Sequence, residues 1–127
     1  MSSRYLPTNS LPPQASPTQI AHLQRAAQGN QIFFQDLAKR SVHAVFKTTT
    51  DQIIRAIRLH LQAERKIYCK YQTGSSMIIP HKIQTNLRLD EDVGEDSDIY
   101  VEFVLAAPDR VYIRNAHHHG NAPRLPR

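Results

Sequence analysis

The stretch Arg65–Tyr71, RKIYCKY, decides the fold, because within it the spacing of apolar residues changes from helical to extended. Ile67, Cys69 and Tyr71 alternate with Tyr68 and Lys70, a period of two that sends successive side chains to opposite faces of a strand. The same period continues downstream. In KIQTNLRL, residues 82–89, Ile83, Thr85, Leu87 and Leu89 alternate with Lys82, Gln84, Asn86 and Arg88. In IYVEFVL, residues 99–105, Ile99, Val101, Phe103 and Leu105 alternate with Tyr100, Glu102 and Val104, and Val111 with Ile113 marks a last strand. Thr73-Gly74-Ser75, the acidic run 90–98 and Ala107-Pro108-Asp109 separate these runs and have the composition of hairpin loops.

Upstream of residue 65 the period is 3.6. Ser16 before Pro17 is an N-cap followed by proline at the first helical position, with Ile20, Leu23 and Ala27 at helical spacing and Gly29 as the stop. Between Gln31 and Lys47, Phe33, Phe34, Leu37, Ala38, Ala44 and Val45 fall on one broad arc, which predicts a central, mostly buried helix. Thr50 caps a third helix whose stripe is Ile53, Ile54, Ile57 and Leu61, ending near Glu64. Helices followed by hairpin strands predict an α+β fold, with three N-terminal helices packed on one face of a four- to five-stranded antiparallel sheet.

A chain of 127 residues is the length of one domain. Residues 1–16 hold proline and polar residues with little to bury, and read as a flexible arm; 17–118 form the domain; 119–127 read as a flexible basic tail. The lone Cys69 closes no intramolecular disulfide and supplies no cysteine-based zinc site, which fits a reducing compartment. Met1 to Gln14 has no apolar run, and no segment approaches the ~20 apolar residues of a membrane span. An intracellular protein, cytoplasmic or nuclear and without a membrane partner, is expected.

Formal charge is +5, unevenly spread. Residues 1–89 carry 12 basic and 3 acidic side chains, residues 90–98 carry 6 acidic ones, and residues 99–127 carry 4 basic and 2 acidic. Helical spacing puts Arg55, Arg58, Arg65 and Lys66 on one arc opposite the isoleucine stripe, where cations can follow a phosphate backbone. On the strands, the side away from the apolar set carries Tyr68, Lys70, Lys82, Arg88, Tyr100, Arg110, Tyr112 and Arg114. Tyrosines interleaved with cations are what single-strand platforms use, rings stacking on bases and cations meeting phosphates. The competing reading is a solvated helix face and cross-strand tyrosine pairs that stabilise the sheet.

Nothing in the chain has the pattern of a phosphate-binding glycine loop, a nucleophile elbow or a zinc-protease helix. His22, His43 and His60 lie on separate helices, and the adjacent His117, His118 and His119 would point to alternating sides of a strand. Counting from Asp90, Gly94 is fifth and Val101 twelfth, so the acidic loop lacks the calcium-loop register. The expectation is a non-enzymatic protein with no cofactor, metal or small-molecule substrate, binding RNA or single-stranded nucleic acid. The alternative is a structural or assembly subunit, such as a viral coat or nucleocapsid-like protein or a component of a larger complex, acting through protein contacts. Self-association is expected because the last strand has no internal Pro or Lys to blunt a free edge.

Overall fold

A computed structural model describes residues 6, 10–45, 49–117 and 124–127, without the side chains of 41–45 and 117. Helix α1 (Pro17–Gln28) opens with a capping box in which Ser16 Oγ accepts from Gln19 N and Gln19 Oε1 accepts from Ser16 N. Strand β1 (Ile32–Phe34) follows, then α2 (Asp36–Val45) and α3 (Thr50–Gln62). Strands β2 (Tyr68–Tyr71), β3 (Ile78–Arg88), β4 (Asp98–Ala106) and β5 (Arg110–His117) complete the five-stranded sheet, ordered β1-β5-β4-β3-β2. The α+β class stands, and the helices share one core with one sheet face. Leu23, Ala26, Ile53 and Ile57 pack with Ile83, Leu87, Ile99, Val101, Phe103, Val111 and Ile113.

The sheet is mixed rather than antiparallel throughout, and the reason lies in the segment read as one helix over 31–47. Ile32, Phe33 and Phe34 run parallel to Val111, Tyr112 and Ile113. Val111 N donates to Gln31 O at 2.9 Å and Gln35 N to Ile113 O at 3.0 Å. Two features favour this over a helix. Asn30 has left-handed backbone, φ 55°, which breaks the chain after α1, and an Ile-Phe-Phe triplet suits a pleated, half-buried edge. Burial then alternates: Ile32 is buried, Phe33 is 41% exposed and Phe34 is half-buried. Residues 46–48, the end of the expected helix, lie outside the described residues, as do His118 and His119.

The second face of the sheet is covered by the chain's own ends. Leu125 is buried against Tyr68 and Tyr100, with Leu6 and Leu11 half-buried beside them. Leu125 N donates to Asn86 Oδ1 at 3.2 Å, Tyr68 Oη to Pro126 O at 2.8 Å, and Leu6 N to Arg124 O at 2.9 Å. Segments expected to hang free are therefore docked where they are described, because the strands present apolar and amide groups that need a cover. The chain also lines the β2 edge of the sheet. The exposed edge expected on β5 is occupied by β1, and Gln14 bridges Tyr68 while Ala15 N donates to Ile67 O and Cys69 N to Pro13 O. On that side the three-residue β1 replaces β5 as the edge strand. No described helix is long and apolar enough to cross a membrane.

Docking of the tail has a measurable cost when undone. Leu125→Ala should lower unfolding stability by about 2 kcal/mol or more, as for other buried leucines, read as a shift of the urea midpoint. A midpoint unchanged from wild type would contradict a docked tail.

Candidate nucleic-acid interface

The cations form two groups with different fates. The N-cap of α3 is Thr49, not Thr50: Thr49 Oγ1 accepts from Gln52 N and Gln52 Oε1 accepts from Thr49 N. Arg55 is exposed on its second turn. Arg58, although exposed, reaches the end of α1, donating through Nη2 to Ala27 O at 3.0 Å and to the Asn30 side chain. It acts as a strut between helices.

Arg65 and Lys66 do not continue the helical arc. The helix stops at Gln62 with Ala63 as C-cap, and Glu64 takes left-handed backbone, φ 53°, so the chain reverses before Arg65. Arg65 N donates to His60 O at 3.0 Å. Inside the reversal, His60 Nε2 donates to Lys66 O at 2.9 Å and lies 3.1 Å from Thr85 Oγ1, whose hydroxyl also donates to Lys66 O, at 2.7 Å. This buried contact fixes the turn that presents Arg65 and Lys66, both exposed. Arg65 thereby meets β3 and the tail: Arg65, Arg88, Pro126 and Arg127 line one open cavity of about 280 Å³. A smaller cavity that shares these three arginines is also lined by Leu59, Ala56 and Glu91. Arg55 stands four residues before Leu59 and so shares its side of α3.

The second group, on the sheet, is consumed internally. Tyr68 and Tyr100 do lie on the side away from the helices, but they are only 2% and 3% exposed, so neither ring offers a face to a base. Lys70 Nζ donates to Tyr100 Oη at 3.2 Å, Tyr100 Oη donates to Gln84 Oε1 at 2.8 Å, and Gln84 Nε2 donates to Cys69 O at 2.7 Å. Burial, reinforced by the Glu102 carboxylate, pushes the Tyr100 phenol far above its usual range; burial alone raises Tyr68. Lys82 Nζ lies 3.9 Å from Glu102 Oε1, and Asn115 Nδ2 donates to Glu102 Oε2 at 2.6 Å. Arg88 is held by buried Asp98, Nε to Oδ1 at 2.8 Å and Nη2 to Oδ2 at 3.3 Å. The expected platform of Tyr68, Lys70, Lys82, Arg88 and Tyr100 is thus bonded to other parts of the fold, with Tyr68 and Tyr100 beneath the arm and tail.

On β5, Arg110 and Arg114 are exposed and Tyr112 is half-buried. Arg114 is the extra residue of a bulge, since Phe103 pairs with Ile113 and Glu102 with Asn115, so simple alternation does not group it with Tyr112. The ring that does accompany Tyr112 is Phe33, at 5.6 Å between centroids. Sequence reasoning missed Phe33 by placing it in a helix; the β-branched and aromatic triplet after Gly29-Asn30 is the signal that identifies the strand. It also missed Arg127, whose neighbour Leu125 is the apolar residue that anchors an otherwise polar tail.

In the acidic loop, Asp90 Oδ1 accepts from Asp92 N at 2.9 Å and Ser97 Oγ from Asp90 N at 3.0 Å, turn contacts that shape the segment around the 3-10 turn Gly94–Ser97. Among the described residues no group of three or more His, Cys, Asp or Glu converges as metal ligands do. Cys69 is buried, and that burial raises its thiol pKa. Compared with known proteins, the chain matches no family model, none of the curated proteins and none of the solved structures.

The turn that carries Arg65 and Lys66 should loosen in acid. Burial, aided by the charges of Arg127 and Arg65, outweighs the Lys66 carbonyl and Asp98, which act the other way, and holds His60 below its ordinary pKa of 6.5. The unfolded chain therefore takes up a proton first, and stability falls as pH drops below about 6.5. The wild-type urea midpoint should decrease between about pH 7.5 and pH 5.5, and His60→Gln should flatten that decrease. Equal slopes in both proteins would contradict this assignment.

Proposed function

We propose that the protein binds nucleic acid through the phosphate backbone, without base readout, along the α3 surface and the turn that follows it. One observation carries this reading: Arg55, Arg65 and Lys66 are exposed and make no ion pair with any described residue, whereas Arg25, Lys82, Arg88 and Arg127 each lie beside a carboxylate. Unpaired cations close together in sequence on α3 and the turn after it supply the sequence-independent electrostatic attraction that a polyanion recognises. The burial of Tyr68 and Tyr100 removes the reason to expect base stacking on those two rings, so contacts to phosphate, common to single strands and duplexes, support the reading best. The exposed acidic residues of the 90–98 loop lie on a different element and repel a phosphate chain placed there, which favours one orientation.

Replacing Arg55, Arg65 and Lys66 together with Gln should leave the fold intact, with stability within about 0.5 kcal/mol of wild type, as is usual for surface changes. Affinity for unrelated oligonucleotides should fall alike, and the slope of log K against log salt should become shallower by nearly one unit for each phosphate no longer neutralised. Fluorescence anisotropy over a salt series checks both. Unchanged affinity and slope would contradict the reading.

A further inference from the structure

We infer that the cavity between Arg65, Arg88 and Arg127 is a receptor for a single dianionic phosphate group. Guanidinium groups are planar forks that match phosphate oxygens two bonds at a time, and here three of them line one cavity of about 280 Å³. That is ample room beside the ~30 Å³ share of one water. Three converging cations exceed what one carboxylate ligand can satisfy, whereas a tetrahedral dianion offers acceptors in several directions. Cations that track a polymer are strung out along it; these three share the lining of one cavity.

The second observation is Arg127 itself. Its side chain is only 10% exposed, yet Nε and Nη1 are buried and have no hydrogen-bond partner among the described residues. Buried donors are nearly always bonded, and a charged donor left without an acceptor is costly, so this guanidinium is left short of acceptors by the described residues. The carboxylates nearby offset only part of the charge of the site. Asp98 holds Arg88 in place through two bonds, Glu91 touches Arg127 Nη2 only at 3.5 Å and is 68% exposed at the rim, and Arg65 pairs with no described carboxylate. The site therefore keeps net positive charge, with Arg88 oriented by Asp98, Arg127 delivered by the docked tail and Arg65 by the turn built on His60. Binding backbone phosphates along α3 is not required for this pocket, so the inference goes beyond that reading.

The group has two chemical sources, free inorganic phosphate or the terminal phosphate of a strand, and one calorimetric series on the full chain separates them. Inorganic phosphate, titrated against chloride at matched ionic strength, should bind wild type at one site. Arg127→Gln and Arg65→Gln should each weaken it about tenfold or more, and Lys39→Gln, on the exposed side of α2, should not change it. A 5′-phosphorylated oligonucleotide binding more tightly than its 5′-hydroxyl form, with the difference abolished in Arg127→Gln, assigns the site to strand ends; equal binding of the two forms assigns it to free phosphate. Absence of phosphate binding by wild type, or binding unaltered in Arg65→Gln, overturns the inference. Should Arg127→Gln fail to fold, the exposed Arg65 decides alone. Retained oligonucleotide binding without phosphate binding would remove the pocket and leave the backbone reading in place.

Discussion

Leu125 lodged between Tyr68 and Tyr100 is the contact on which the rest of the molecule depends. A mixed sheet of long amphipathic strands needs a cover on any face whose groups cannot face water alone, and the helices serve only one side. Here the other cover comes from the chain's two ends, held by Leu125 N on Asn86, Tyr68 Oη on Pro126 and Leu6 N on Arg124. Once that cover is in place, the tyrosines cease to be a binding surface and become part of a second, smaller core. The same docking carries Arg127 to Arg88 and Arg65.

Electrostatics then sort by depth. Cations on the covered face are unable to remain unpaired, since a buried charge without a partner is strongly disfavoured. Lys70 is accordingly met by a phenol, Lys82 by Glu102 and Arg88 by Asp98. Arg55, Arg65 and Lys66, on the water side of α3 and its exit turn, are under no such constraint. The surplus positive charge thus stays where a polyanion can approach it. Arg127 is the exception, buried like the first group yet only loosely paired, with Glu91 at 3.5 Å.

How much of this was legible in the sequence follows from which forces are local. Capping by Ser16, the isoleucine stripe of α3 and the period-two alternation of β3 and β4 depend on near neighbours in the chain, and they read correctly apart from a one-residue shift to Thr49 as the cap. The strand Ile32–Phe34 did not, because its partner β5 lies some 80 residues away and an Ile-Phe-Phe triplet also satisfies a helical arc. Faces were legible where exposure was not: alternation put Tyr68 and Tyr100 opposite the helices, but nothing local says that Leu125 will cover them. The arc of Arg55, Arg58, Arg65 and Lys66 failed at Glu64, where left-handed backbone follows the end of the helix and takes Arg65 and Lys66 off the arc, Arg65 toward the tail. Arg65 proves the more consequential for that displacement.

The central claim is that nucleic acid meets the exposed cations of α3 and its exit turn while the tyrosine layer stays sealed. Chemical-shift mapping by NMR during titration with a single-stranded oligonucleotide tests it most directly. The account predicts perturbations at Arg55, Arg65, Lys66, Arg88 and Arg127, with Tyr68 and Tyr100 ring signals unmoved. Ring shifts at Tyr68 and Tyr100 with a silent α3 surface would contradict it.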